Sequence, residues 1–312
     1  MTNEQYEKNL SVPTGRVDVI LDTDAYNEVD DQFAIAYLLH AEERVNLLGF
    51  CAAPFFNSRS VSPADGMKKS YDEIKKLLRL ADREDLCERV YRGSEQYLPD
   101  EKTPVLSDAA RFLAETARGY TPQHPLYVVA IGAITNVASA LLSAPEIAEN
   151  IVIVWLGGHA HHWQRQPAGE FNMTQDIAAA CVVFGSGAPL VQLPCSGVVD
   201  HFIVTEAELQ RYMLGKDPLS DYLAKNVLED QAIYAAGQPW GRVIWDVTAA
   251  AWLLNDGERF MQSVLTPPML PTEERGYVPA GTAKPIRYVY AVDRTALLVD
   301  MFRRIAGEER SA

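Results

Sequence analysis

VDVILDTDAYNEVDDQFAIAYLL, residues 17–39, decides the fold class of this chain. The stretch begins with an apolar run rich in β-branched residues, passes through a polar turn, and becomes apolar again from Gln32 onwards. A buried strand followed closely by a helix is typical of a parallel sheet whose two faces are both covered. In open sheets of this class, ligands bind beyond the carboxyl ends of the strands, so the residues after position 21 are candidates for function.

The same alternation of apolar runs and helical patterns continues along the chain. Further strands are predicted at 45–53, 125–133 and 150–158. Helices are predicted over 63–80, over 136–142 and over much of 205–262. We therefore predict one α/β domain over residues 1–312, with an open, mainly parallel central sheet and helices on both faces.

Composition limits the class of partner. The chain has 312 residues, 48% of them hydrophobic, and a formal net charge of -14. Nucleic acid binding depends on clustered Lys and Arg, so the charge predicts a small uncharged or cationic ligand and no nucleic acid. Neither a basic leader with an apolar core nor a membrane-length apolar window is found, which predicts a cytoplasmic protein without membrane contact.

Five acidic residues lie within ten positions after the first predicted strand: Asp22, Asp24, Glu28, Asp30 and Asp31. Carboxylates this close repel each other unless a cation separates them, and hard oxygen ligands suit Ca²⁺ or Mg²⁺. A simpler explanation is that acidic residues stabilise the start of the following helix. A phosphatase with an aspartyl nucleophile also carries two aspartates after a strand, so that class stays open at this point.

The segment DTDAYNEVDD, residues 22–31, resembles the N-terminal signature of the nucleoside hydrolase family, inosine/uridine-preferring type. Its turn at 25–29 is two residues longer than the commonest form of that signature. Segments at 128–141, 169–187 and 243–254 resemble three later motifs of the family, in the same order. The resemblance implies a Rossmann-like nucleoside hydrolase fold, hydrolysis of the N-glycosidic bond of ribonucleosides, and a homodimer or homotetramer.

The resemblance also implies roles for individual residues. The predicted ligands of a Ca²⁺ ion are Asp24, Asp31, the backbone carbonyl of Ile131, and Asp246. Asp24 is in addition the predicted catalytic residue, because it would accept the proton of the attacking water. The residues predicted to hold the ribose hydroxyls are Asp30, Glu170 and Asn172. Asp22 is expected to brace the cluster.

Trp245 occupies the position where many pyrimidine-tolerant members carry a His before the late aspartate. A Trp there is similar to the purine-preferring branch, and stacking on an indole favours the larger face of a purine. The alternative is a core tryptophan. Candidates for a second stacking ring are Phe55, Phe56, Trp163, Tyr234 and Trp240.

Two smaller features complete the site prediction. Asn57, after the second strand, is predicted either to bind substrate or to form a turn. The run GGHAHHWQRQ at 157–166 predicts either a loop that offers one His as an acid or a solvated loop. A protein that binds N-ribosides without cleaving them is the remaining alternative from another class.

Overall fold

The computed structural model describes residues 1–162, 169–274, 276–281 and 284–307. Its strands are β1 Val17–Thr23, β2 Val45–Ala52, β3 Val90–Arg92, β4 Leu126–Ala130, β5 Ile151–Leu156, β6 Leu190–Leu193, β7 Ile203–Val204, β8 Arg242–Val243, β9 Met261–Thr266, β10 Met269–Pro271, β11 Tyr277–Pro279 and β12 Ile286–Val292. Its α-helices are α1 Asn3–Asn9, α2 Asp31–Leu39, α3 Pro63–Leu80, α4 Asp108–Ala117, α5 Thr135–Ser143, α6 Phe171–Gln175, α7 Ile177–Gly185, α8 Glu206–Tyr212, α9 Pro218–Tyr234, α10 Val247–Trp252 and α11 Arg294–Ala306.

Eight strands form the central sheet in the order β3-β2-β1-β4-β5-β6-β12-β9. All neighbours pair in parallel except β9, which runs antiparallel to β12 at the edge. The chain moves outward from β1 to β3 on one side and returns to build β4 to β6 on the other. The strand order therefore reverses between β1 and β4, and crevices for ligands form at such a reversal.

Alternate side chains of β1 enter two different apolar layers. Val19 and Leu21 join one buried cluster, whereas Ile20 joins the other. Because helices cover both faces, the middle of the strand is apolar on both sides, as the apolar run in the sequence predicted. Helix α2 is buried at all nine of its positions, which explains why its sequence shows no polar face.

The predicted fold class is confirmed, and the predicted strands are shorter by one to three residues at their ends. Helix α3 spans the predicted 63–80 because Ser62 caps its first turn by accepting a hydrogen bond from the Asp65 amide at 3.1 Å. The final strands of the sheet, β9 and β12, were not predicted. Among the residues that the structure describes, no helix is both long and apolar enough to cross a membrane.

Candidate active site

The acidic turn and the late aspartate meet at the carboxyl end of the sheet. One carboxylate oxygen from each of Asp30, Asp31 and Asp246 lies within 4.8 Å of the other two. All three side chains are buried, with at most 3% of their surface exposed. Asp31 starts α2 and Asp246 precedes α10, so two helix starts bring these carboxylates together.

Asp24 adjoins this cluster and has no exposed surface. Among the described residues, neither of its carboxylate oxygens has a hydrogen-bond partner. The same holds for the second oxygen of Asp22, whose first accepts from the Asn136 amide at 2.7 Å. Burial raises the pKa of Asp24 well above its ordinary value, and the nearby Asp31 raises it further. Buried carboxylate oxygens without partners are costly, and an oxygen-seeking divalent cation such as Ca²⁺ fits them.

The helix-start explanation for the acidic run fails for Asp30. Its carboxylate makes no capping hydrogen bond with α2, although the residue stands at the N-cap position. Asp31 accepts a hydrogen bond from the hydroxyl of Thr23, the last residue of β1. Asp30 is thus left to face the cleft rather than the helix backbone.

A tight turn after β4 brings the backbone close to Asp24. A Cβ atom at Gly132 would lie 2.9 Å from the Asp24 carboxylate, so only glycine fits. The Trp155 indole donates to the Gly132 carbonyl at 3.2 Å. The Ile131 carbonyl, a predicted metal ligand, accepts from the Asn172 amide at 3.1 Å, and Ile131 lines the cleft.

Glu170 and Asn172 are both buried and both line the cleft. Glu170 caps α6: its oxygens accept from the amides of Gly158 at 2.7 Å and Asn172 at 2.8 Å. Burial raises the pKa of Glu170, and these amide contacts oppose the rise. The Asn172 side-chain amide also donates to the Leu156 carbonyl at 3.0 Å, so it joins the ends of β4 and β5 and leaves its oxygen available.

The cleft has a volume of about 240 Å³, and its lining includes Trp245, which is only partly buried. Among the described residues of the lining, Phe171 carries the other large apolar aromatic ring. Phe171 was not among the predicted stacking rings, although it lies between the predicted site residues Glu170 and Asn172. The proposed stacking candidates Phe55, Phe56, Tyr234 and Trp240 are not among the lining residues, and Trp163 lies outside the described residues.

Asn57 does not line the cleft. Its side-chain oxygen accepts from the Arg59 amide at 2.8 Å, which is the contact of a turn-forming asparagine. Its amide group donates at 2.5 Å to the side chain of Asn27, and Asn27 does line the cleft. Asn57 therefore supports Asn27 from outside the cleft and does not itself belong to the surface of the cleft.

One histidine of the predicted run, His159, lines the cleft and is 8% exposed. Its Nδ1 accepts a hydrogen bond from the Ser196 amide at 3.2 Å, so in the neutral ring Nε2 carries the proton. Burial lowers the pKa of His159, and Asp200 partly opposes this. His161 points elsewhere, with its ring 4.5 Å from that of Tyr288, and no described residues form a zinc cluster with these histidines.

An ion pair borders the cleft. The Arg242 guanidinium lies 2.5 Å from the Glu28 carboxylate, which belongs to the longer turn after β1. Arg242 also lies in β8, which pairs with β7 and leads into Trp245 and Asp246. The sequence carried no signal for this pair, because its members are separated by 214 residues.

A family model and several curated proteins match this chain. The family model of the inosine-uridine preferring nucleoside hydrolases matches residues 19–299. A pyrimidine-specific ribonucleoside hydrolase RihA from Salmonella paratyphi A is 33% identical over 156 residues, and its counterpart from Klebsiella pneumoniae is 35% identical over 137 residues. These alignments cover 49% and 43% of this chain and the same shares of the relatives, so the chain spans about half the length of the curated relatives it matches.

Solved structures share the fold over nearly the whole chain. A purine-preferring ribonucleoside hydrolase from Gardnerella vaginalis superposes with a TM-score of 0.71 at 21% identity, over 93% of this chain and 98% of its own. A plant nucleoside hydrolase reaches 0.74 at 18% identity, over 94% of this chain and 99% of its own. At these identities the likeness shows the fold, and the family model adds the membership: the chain belongs to the inosine-uridine preferring nucleoside hydrolase family.

Proposed function

We propose that the protein hydrolyses the N-glycosidic bond of ribonucleosides to ribose and free base, with Ca²⁺ as its cofactor. The observation that carries this proposal is the buried cluster of Asp30, Asp31 and Asp246 in the lining of a polar cleft, with Asp24 beside Asp31. Neither Asp24 oxygen has a hydrogen-bond partner among the described residues. Family membership supports the reaction class.

We propose that the metal is held by Asp24, Asp31, Asp246 and the backbone carbonyl of Ile131. Oxygen ligands from separate loops suit Ca²⁺, whose coordination is large and flexible. When bound, such an ion supplies positive charge that orients the ribose hydroxyls and makes a nearby water more acidic. Asp24 would take the proton from the attacking water, since its oxygens make no competing hydrogen bond within the described part of the chain.

Three side chains would bind the sugar. The Asp30 carboxylate faces the cleft without a capping contact, and the Asn172 oxygen is not used by the hydrogen bonds that anchor its amide. Oε1 of Glu170 accepts only one backbone amide, that of Asn172, and has a lone pair left, whereas Oε2 already accepts from the amides of Gly158 and Met173. Acceptors that are fixed in this way reject sugars that lack the matching hydroxyl, because a buried polar group would lose its partner.

We propose a purine preference, with the base against Trp245 and Phe171 as the second ring. Both side chains line the same cleft, and stacking grows with ring area. The relatives named as pyrimidine-specific align with only about half of this chain, so their name does not decide its base. The homodimer or homotetramer implied by the sequence also stays a prediction.

The test is release of reducing sugar from inosine, adenosine, guanosine, uridine and cytidine by wild type and Asp24→Ala, with and without a calcium chelator. Cleavage of purine ribosides that is lost in the variant and after chelation, and restored by Ca²⁺, would support the proposal. A wild-type protein that binds these nucleosides without cleaving them would instead be a riboside-binding protein.

A further inference from the structure

Strand β9 lies at one edge of the central sheet, far from the cleft in sheet order, and it carries no charge. Its residues, Met261–Thr266, read MQSVLT and include no Lys, Arg, Asp, Glu or Pro. Val264 and Leu265 are exposed, at 47% and 37%. Charged side chains and prolines are common at sheet edges because they prevent open backbone groups from pairing with another strand. The β9 edge has neither, in a chain whose net charge is -14.

Two contacts show which backbone groups of β9 face outward. The Asp293 amide donates to the Phe260 carbonyl at 2.7 Å, and a bond at that position flanks a residue pair without direct hydrogen bonds, here Met261 and Val292. Met261 therefore turns its backbone away from β12. The Asn255 side chain satisfies both of the outward groups of Met261, the amide at 3.0 Å and the carbonyl at 2.8 Å.

Hydrogen bonding alternates along an antiparallel strand, so Ser263 and Leu265 also direct their amides and carbonyls away from β12. Within the described part of the chain, none of these four groups has a hydrogen-bond partner. The next outward position is Pro267, which has no N–H to donate. The open segment is thus bounded by Met261, whose groups are already used, and by a proline.

These two limits are equidistant from Val264, which is the symmetry that a second copy of β9 matches. In an antiparallel pair centred on Val264, Ser263 of each copy lies opposite Leu265 of the other. Each of these two residue pairs exchanges two N–H···O bonds, so four bonds satisfy all the open groups of both strands. Pro267 then lies opposite Met261, where Asn255 has already satisfied the backbone.

The side chains suit the same pairing. The two copies of Val264 face each other at the twofold axis, in a pair without direct hydrogen bonds, where side chains approach most closely. Gln262 lies opposite Thr266 of the other copy, and no two charges meet between the strands. A strand of unrelated sequence can use the same open groups, but only a second copy places a blocked position opposite each blocked position.

We propose that the β9 edge is an interface between two copies of this chain, which pair antiparallel about a twofold axis at Val264 and continue one sheet through both molecules. The inference goes beyond the proposed function and does not depend on it. Two six-residue edges supply less contact area than the roughly 1,200 Å² of standard stable complexes, so the dimer should be weak, with a Kd of about 10–100 µM. Each copy has a net charge of -14, so salt should strengthen the dimer by screening the repulsion.

Sedimentation velocity of the full chain from about 1 to 200 µM, at about 0.05 and 0.5 M NaCl, measures this association. We expect a monomer–dimer equilibrium that shifts toward the dimer at the higher salt. Ser263→Pro removes one outward N–H and spares the pairing with β12, because Pro is tolerated where an edge amide faces solvent. Val264→Lys places two like charges opposite each other. Each variant should weaken the dimer by roughly tenfold or more.

Val61→Lys is the matched control. It makes the same substitution at a side chain that is 83% exposed and that follows β2, toward the other end of the sheet. Its dimer should be as strong as that of wild type, apart from the small effect of net charge that all lysine variants share. Thermal unfolding shows whether each variant is folded, and the two β9 variants test the edge independently of each other.

Two results would overturn the proposal. One is a wild-type chain that stays monomeric at about 200 µM in the higher salt. The other is a dimer that the β9 variants weaken no more than Val61→Lys does, because such a dimer uses another surface. Loss of the dimer in a folded β9 variant, with the dimer kept in Val61→Lys, would support it.

Discussion

The carboxylate of Glu28 and the guanidinium of Arg242 meet at 2.5 Å, and their contact connects the turn after β1 to the strand that precedes Trp245. Both side chains are partly exposed, at 40% and 23% respectively. Such a pair contributes little to stability, typically below about 1 kcal/mol. Its effect should appear in the shape of the cleft, because Glu28 is part of the lining.

We predict that Arg242→Gln lowers kcat/KM for ribonucleosides by roughly tenfold, while the free energy of unfolding changes by less than about 1 kcal/mol. Steady-state kinetics and urea unfolding measure the two quantities. Arg118→Gln is the matched control, since Arg118 contacts Glu146 at 3.0 Å and neither residue lines the cleft. Equal kinetic losses in both variants would contradict a role for the Glu28 pair.

Asp24→Asn should separate stability from function. The amide replaces a buried carboxyl group whose oxygens have no partner among the described residues, and it can donate to the neighbouring Asp31 carboxylate. Without metal we expect the variant to be more stable than wild type by roughly 1–3 kcal/mol. Thermal unfolding should also show that Ca²⁺ no longer raises its Tm, and hydrolysis should be lost.

Asp176→Asn is the control for that experiment. Asp176 is also buried, but both of its oxygens accept hydrogen bonds, from the Leu98 amide at 2.9 Å, the Thr135 hydroxyl at 2.7 Å and the Ala179 amide at 2.9 Å. This variant should lose roughly 1–3 kcal/mol of stability yet keep the Ca²⁺ response. A gain in stability at both positions would show that the missing partners of Asp24 are not the cause.

The pH dependence of stability should invert when metal is added. Burial raises the pKa of Asp22 to about 7, and burial together with neighbouring charges raises the pKa of Asp30 to about 6. In the unfolded chain the pKa of each of these aspartates is about 3.9. The folded metal-free protein thus binds more protons between about pH 4 and 7, and its stability is lost as pH rises through that window.

Metal binding requires ionised carboxylates, so the stabilisation by Ca²⁺ should grow over the same interval. Urea unfolding at several pH values from about 5 to 8, with chelator or with Ca²⁺, measures both trends. A metal-free protein whose stability increases steadily from about pH 5 to 7 would contradict the assignment of raised pKa values to this cluster.

Gly132→Ala should damage the site through one methyl group. Its Cβ would lie 2.9 Å from an Asp24 oxygen and 3.1 Å from the Cβ of Ala53, so Asp24 must move. We expect at least tenfold weaker Ca²⁺ binding by calorimetry and a matching loss of activity. Gly185→Ala is the control: nothing lies within 4 Å of its added methyl, and the helix should gain about 0.5–1 kcal/mol. Equal Ca²⁺ affinity in both variants would mean that Gly132 does not shape the site.

Local sequence patterns predicted the parallel sheet and the carboxylates at its end, because both depend on short segments. Strand β1 and the aspartates that follow it are one continuous stretch, and the position of Asp246 followed from a motif. The structure brings Asp31 and Asp246 together with Asp30, while Asp24 lies beside this cluster, and the metal-binding roles stay predictions.

Contacts between distant segments could not be predicted from the same patterns. Asn57 is a polar residue after a strand, as many active-site residues are. Only the three-dimensional structure shows that Asn27 lies between it and the cleft. Phe171 lay beside two predicted site residues, yet an isolated Phe in a helix start looks like any core residue. The antiparallel edge strand β9 forms by pairing with β12, and the sequence of neither segment alone predicts that pairing.

Helix α2, which begins at the cleft, is buried at every position. Its backbone amides should be among the slowest in the protein to exchange with deuterated solvent, because they open only when much of the core opens. Asp31 is the first residue of that helix, so an ion bound at the cleft is coupled directly to the slowest-exchanging segment. Binding of the ion should therefore slow deuterium uptake by backbone amides deep in the core, at residues that do not contact the ligand.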